Sequence, residues 1–164
     1  MVEIQDETLY IEEDTLKGKY LTFPVGKETY AIEIMFVNEI ISIQTITEVP
    51  ELPAYVKGII NLRGKIIPVM DVRLRFKMKS VEYNNRTCII IIEIKDVSVG
   101  LIVDNVSEVM SIADEDIVSP PEMNKGADNV YIKAIGKVGN DVKLILECEK
   151  LINDNDFETI SQLT

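Results

Sequence analysis

The sequence predicts a mainly β fold of two five-stranded barrels related by internal duplication, with short helices after each repeat and at the C-terminus. Three observations carry this. Runs rich in Ile, Val, Tyr and Thr recur about every ten residues, separated by Gly, Asn, Asp or Pro, which is the pattern of a sandwich or small barrel. The stretch 37–43, Val-Asn-Glu-Ile-Ile-Ser-Ile, returns as 106–112, Val-Ser-Glu-Val-Met-Ser-Ile, at an offset of 69 residues. Helical periodicity is confined to 72–76 and to a stretch from Glu147 onward, each directly after a strand.

Taken in order, strands are expected at 19–25 and 28–34, turned by Gly26-Lys27, and at 39–45. A hairpin follows at 58–62 and 65–71, its turn Leu62-Arg63-Gly64-Lys65 using Gly64 for a positive φ and displaying Arg63 at the tip. Pro68 has no N–H for a ladder, so its strand is expected at an edge or bulge. The second half repeats the plan at 86–94 and 98–103 around Lys95-Asp96, then at 108–112, and at 132–137 and 142–146 around Gly139-Asn140-Asp141, for ten strands in all. The repeat also aligns Leu21, Phe23 and Val25 with Ile90, Ile92 and Ile94, and its offset lengthens by about eight residues before the last hairpin. A five-stranded barrel of about 60 residues is marginal alone, so the halves are expected to share an apolar interface or exchange strands, leaving a groove between them as a binding site. The polar stretch 119–129 reads as a mobile loop, and the last dozen residues as ordered only by docking, since Asn153-Asp154-Asn155 interrupts the stripe formed with Phe157, Ile160 and Leu163.

Composition narrows the function. At 164 residues and 18.5 kDa the chain is long enough for one domain of ordinary size or two very small ones sharing a core, and 46% hydrophobic with 27% charged residues supports a packed core without disulfides or metal. It has no His and only Cys88 and Cys148, which removes Ser-His-Asp and Cys-His catalysis and the usual zinc sites. Both cysteines stand in apolar settings and read as buried reduced thiols. The formal charge of −11 sits at the ends: residues 1–16 hold six acids and no base, whereas 17–146 holds 17 acids and 16 bases. Without a concentrated positive field nucleic acid is not an expected partner. No apolar run approaches a membrane span and no secretory leader precedes the fold, so a cytoplasmic protein without membrane insertion is expected. Asp114-Glu115-Asp116 lacks the Gly and distal Glu of a calcium loop, and Gly136 and Gly139 precede no phosphate-binding helix. No cofactor or metal is expected.

The densest signal is Gly-Ile-Ile-Asn-Leu-Arg-Gly-Lys-Ile-Ile-Pro-Val-Met-Asp-Val-Arg at 58–73, inside a stretch, 57–86, that carries eight bases against Asp71 and Glu82. It is preceded by Tyr-Ala-Ile-Glu-Ile at 30–34, Val-Asn-Glu-Ile at 37–40, Val49-Pro50 and Pro-Ala-Tyr-Val-Lys at 53–57, and followed by Val-Gly-Leu-Ile-Val-Asp-Asn-Val-Ser-Glu-Val at 99–109. From about Lys19 to Ile152 this set resembles the CheW family of chemotaxis coupling proteins. The resemblance implies two five-stranded, SH3/OB-like barrel subdomains. It also implies a non-catalytic adaptor that ties the regulatory domain of the histidine kinase CheA to the cytoplasmic hairpin tips of chemoreceptors, recruited to membrane-associated receptor arrays. It points to Val37, Glu39, Gly58 and Arg63 for receptor binding, and to exposed apolar turn positions such as Val97 for kinase binding. A buried or interfacial pairing of Arg63 with Glu39 is expected, because the guanidinium fork can hold a carboxylate bidentately. The division expected is an acidic tail at 1–16, a CheW-like domain at 17–152, and a tail or helix end at 153–164. Within the domain, subdomain 1 is expected at about 17–62 with 142–160, and subdomain 2 at about 65–141. The alternatives are the coupling subunit of a non-flagellar chemosensory pathway, which only the partner kinase separates from the first reading, and a small-barrel ligand-binding module. An oligosaccharide or single-strand site wants interleaved aromatics, and these total 6% with no Trp.

Overall fold

The computed structural model describes residues 16–120 and 130–151; the acidic tail before them, most of the 119–129 loop and the C-terminal stripe lie outside the described residues. The elements are β1 (Lys19–Val25), β2 (Glu28–Glu33), β3 (Val37–Ser42), β4 (Val56–Leu62), β5 (Lys65–Asp71), α1 (Val72–Arg75), β6 (Cys88–Ile94), β7 (Val97–Val103), β8 (Glu108–Ser111), β9 (Ile117–Val118), β10 (Ile132–Val138), β11 (Asp141–Leu146) and α2 (Cys148–Leu151). Among the described residues α1 and α2 each span a single turn. The ten expected strands are present, with β9 in addition; two residues behind an acidic turn are too short for alternation to register.

The strands form a six-stranded sheet, β8-β1-β2-β11-β10-β9, and a five-stranded sheet, β3-β6-β7-β5-β4. Two closed barrels do not emerge, because the outer strands of neither sheet pair with each other. In the five-stranded sheet one isolated bridge, Thr47 with Ile59, carries the chain beyond β3 onto β4. The six-stranded sheet is wrapped similarly, with β8 on β1 and β9 on β10 joined by the single turn Asp114–Asp116.

Sheet membership also departs from the division of about 17–62 with 142–160 against 65–141. The hairpin β1–β2 of the first repeat sits in the sheet of β8 to β11, and the hairpin β6–β7 of the second sits with β3, β4 and β5. Each repeat therefore lends its first hairpin to the other. The pairings match: antiparallel β1–β2 corresponds to β6–β7, and parallel β2–β11 to β7–β5. Such swapping is invisible to periodicity, because a strand's pattern states which face is buried and not which neighbour it pairs with. Pro68 lies on β5, which is internal between β7 and β4, yet the expected edge or bulge exists locally: the β7 ladder begins only at Val69, and the β4–β5 register shifts opposite Val69 and Met70.

Alternation sends each strand's two faces into different cores. Leu21, Phe23 and Val25 on β1 and Ile90, Ile92 and Ile94 on β6 enter one core shared by both sheets, with Met70, Val72, Leu146 and Leu151. Ile89 and Ile91 instead join Ile60, Ile67 and Val69 inside the five-stranded sheet, and Tyr20 joins Ala31, Ile112 and Ile145 inside the six-stranded one. This explains the unbroken Ile run at 89–92, which must be apolar on both faces. Full burial of each such side chain contributes about 1.5–3 kcal/mol.

Asp71 ends β5 and starts α1. Its carboxylate accepts from the Leu74 backbone N–H at 3.2 Å as an N-cap and from the Tyr83 hydroxyl at 2.6 Å, folding the 77–87 connection back over the sheet. Burial, then this hydrogen bond, pushes the Tyr83 phenol far above the ordinary tyrosine range. Asp71→Ala should cost about 2–4 kcal/mol in urea unfolding, from the lost cap and the stranded hydroxyl. Above about pH 10 an unfolded tyrosine releases a proton that folded Tyr83 keeps, so unfolding free energy should fall as pH rises. Tyr83→Phe should make that decline shallower in the same titration.

Candidate functional site

β3 pairs with β6 through a shift of register: Val37 stands opposite Ile92 and Glu39 opposite Ile91, so Asn38 is an extra residue. A bulge of this kind bends the strand and re-aims its side chains. On β3, Asn38, Ile40 and Ser42 are exposed. The β4–β5 turn approaches from the other end of the sheet order. Arg63 (φ 52°) and Gly64 (φ 86°) both take positive φ, the type I′ arrangement that matches strand twist, and the Asn61 side-chain oxygen accepts from the Gly64 N–H at 2.8 Å. Held on this pinned turn, Arg63 donates through Nη2 to Glu39 Oε1.

The expected partnership of Arg63 and Glu39 is therefore present, and within this chain it is not buried. It is a one-point surface contact, with the Arg63 side chain 70% exposed and that of Glu39 33%. Water screens such a pair, which contributes at most about 1 kcal/mol. Most of the guanidinium fork is left facing outward from the tip of a tight turn.

Gly58 lies apart from that pair. At φ 147° it occupies a region that disfavours side chains, and a Cβ there would stand 2.1 Å from the Thr47 carbonyl oxygen. That oxygen is held in place because it accepts from the Ile59 N–H at 2.9 Å, while the Thr47 N–H donates back to Ile59. Gly58 thus permits the chain beyond β3 to cross onto β4. Val37 closes the single turn Ile34–Phe36, its N–H donating to the Ile34 carbonyl, and packs half-buried on the shared core. Val97 opens β7 directly after the turn Lys95-Asp96 and is likewise half-buried against that core, not exposed in the turn. The structure brings Glu39 and Arg63 together; Val37, Gly58 and Val97 are set by packing.

The basic stretch 57–86 shrinks once folded. Arg73 donates to Asp104 through Nε at 2.7 Å and Nη2 at 2.6 Å, holding that carboxyl below its ordinary range. Lys65 bonds the Ser98 hydroxyl at 3.0 Å, and Arg75 turns inward onto two tyrosines. Lys77, Lys79 and Arg86 remain exposed. At the junction of the sheets a hollow of about 200 Å³ is lined by Tyr30, Phe76, Met78 and Ile132. These residues are distinct from the five the sequence singled out; the two rings, Tyr30 and Phe76, carried no signal, since a packed ring and a pocket ring look alike along the chain.

Among the described residues no three His, Cys, Asp or Glu side chains group to hold a metal, and Asp114, Glu115 and Asp116 are exposed in their turn. Burial, then neighbouring Glu147, pushes the Cys148 thiol up to about 12, far from a nucleophile's range. No helix among the described residues is long and apolar enough to cross a membrane.

Comparison with known proteins matches residues 19–156 to the CheW-like domain family. The chain is 31% identical over 150 residues to Chemotaxis protein CheW of Klebsiella aerogenes, spanning 92% of this chain and 90% of that one. It is 35% identical over 141 residues to Chemotaxis protein CheW of Bacillus subtilis, spanning 86% and 90%. Among solved structures, the scaffolding protein TtCheW from Thermoanaerobacter tengcongensis superposes with a TM-score of 0.78 at 36% identity, covering 85% of this chain and 94% of that one.

Gly58→Ala should lower thermal stability by at least about 2 kcal/mol, because the new methyl meets backbone that cannot move without breaking the Thr47–Ile59 bridge. Calorimetric melting measures this. A variant as stable as the parent would show that the close approach is dispensable.

Proposed function

The chain belongs to the CheW-like domain family, and from that premise we propose that it is a chemotaxis coupling scaffold joining the CheA regulatory domain to chemoreceptor hairpin tips. The observation that carries the reading is a family match over nearly the whole described fold, together with a solved relative that is itself a scaffolding protein. In this reading the protein acts by binding alone, from the cytoplasmic face of a receptor array, with no cofactor.

Receptor recognition is assigned to the face carrying Glu39 and Arg63. The pair is weak and exposed, so a receptor carboxylate can engage the open side of the guanidinium fork at small cost. Val37 and Gly58 support that face by shaping β3 and its crossing onto β4. The kinase is expected to dock against one sheet by pseudo-symmetric matching with its own similarly built domain. Val97 is then a shaping residue of the β6–β7 hairpin more than a contact. Each interface need bury only about 1,000 Å², weak singly and strengthened when both partners are held in one array.

The direct test is calorimetric titration with the CheA regulatory domain, then with a receptor cytoplasmic fragment. One-to-one saturable binding to each, retained when both are present, is the expected result. Absence of heat and of co-elution at micromolar concentrations would leave only a double-sheet binding module. Arg63→Glu should weaken receptor binding about tenfold or more, with the melting temperature unchanged because Arg63 is exposed. Unaltered receptor affinity in the folded variant would remove Arg63 from the site.

A further inference from the structure

The chain passes between the two sheets twice among the described residues, from β2 to β3 through 34–36 and from β7 to β8 through 104–107. These crossovers occupy equivalent places in the two repeats, and two short tethers with a non-directional apolar core between the sheets leave the angle between them to directional contacts. We infer that α1 is the clamp that fixes the angle between the sheets, with Arg75 as its central pin and Arg73 as its second tie.

Arg75 leaves α1, at the end of β5 in the five-stranded sheet, and its guanidinium carbon lies 4.4 Å from the ring centroid of Tyr55 and 4.7 Å from that of Tyr131. The tyrosines are equivalent residues of the two repeats. Each is held by the same backbone bond: the Asp71 N–H donates to the Tyr55 carbonyl at 2.7 Å, and the Glu147 N–H to the Tyr131 carbonyl at 2.8 Å. Arg75 Nε also donates to the carbonyl of Leu151, the last described residue of α2. One planar cation thus lies over a ring from each repeat and bonds the backbone of the opposite helix. Phe76 extends the contact, stacking on Tyr131 at 5.4 Å and meeting Tyr30 at 5.1 Å.

Arg73 ties the hinge itself. Asp104 is the first residue of the second crossover, and besides the Arg73 fork its carboxylate accepts from the Gly26 N–H at 3.2 Å, in the β1–β2 turn of the six-stranded sheet. The clamp is one-sided. The positions in α2 that correspond to Arg73 and Arg75 are Glu149, which is exposed, and Leu151, which is buried. Two arginines could not both lie between the same two rings, so the second repeat carries no copy of the pin.

The test uses the full chain carrying Cys88→Ser, with spin labels at Glu93→Cys on β6 and Lys137→Cys on β10, both exposed and one in each sheet. With Arg75 present the label distance should be a single narrow population. Arg75→Met should broaden or split it, and the amides of Asp71 and Glu147 should exchange about tenfold faster while those of β6 keep their protection. Arg75→Lys, which keeps the charge but not the flat double stack, should fall between; it decides the matter by the same readouts if Arg75→Met does not fold. An unchanged distance distribution in a folded variant overturns the clamp. Equal acceleration of exchange at every amide does so too, because it would make Arg75 a contributor to global stability alone.

Discussion

The apolar seam between the two sheets is the constraint on which the rest of the molecule depends. Neither repeat could bury its hydrophobic surface alone, since five short strands enclose only a small core of the kind seen around Ile60 and Ile67 or around Ala31 and Ile145. The larger core forms only when Leu21, Phe23 and Val25 meet Ile90, Ile92 and Ile94. Exchange of the first hairpin between repeats makes this meeting obligatory, because each sheet is then completed by strands from the other half.

With both broad faces of β1 and β6 committed to cores, what is left for recognition is edges and turns. The β4–β5 turn is stiffened by Asn61 and two positive-φ residues, and it presents Arg63 beside the bulged strand carrying Glu39. Such a surface is polar, shallow and rigid. It suits a protein that holds partners in register, where geometry matters more than depth. An exposed ion pair of small intrinsic worth is also easily traded for a partner's charge.

Much of this could be read along the chain and some could not. The strands were legible because their alternation is local, and the duplication because its apolar positions recur at one spacing. The turn at Arg63 and Gly64 declared itself by composition. Sheet membership, the internal place of Pro68 and the absence of edge-to-edge closure were hidden, since each depends on which distant strand supplies the neighbouring ladder. Val97 illustrates the same limit: beside a turn it reads as exposed, yet it packs half-buried on the shared core. Arg75 reads as one more surface base in a positive stretch, and only the meeting of Tyr55 and Tyr131 turns it inward.

What the sequence determined by itself was the β class, the twofold repetition, the position of each turn and the family to which the motif at 58–73 belongs. Periodicity, turn chemistry and residue spacing are properties of neighbours along the chain, and they survive without a structure. Tertiary structure alone decided which hairpin serves which sheet, that Gly58 exists for the passage of Thr47, and that one arginine stands on the axis between two equivalent tyrosines. Each of these joins residues far apart in sequence, so packing selected them and no local pattern could announce them.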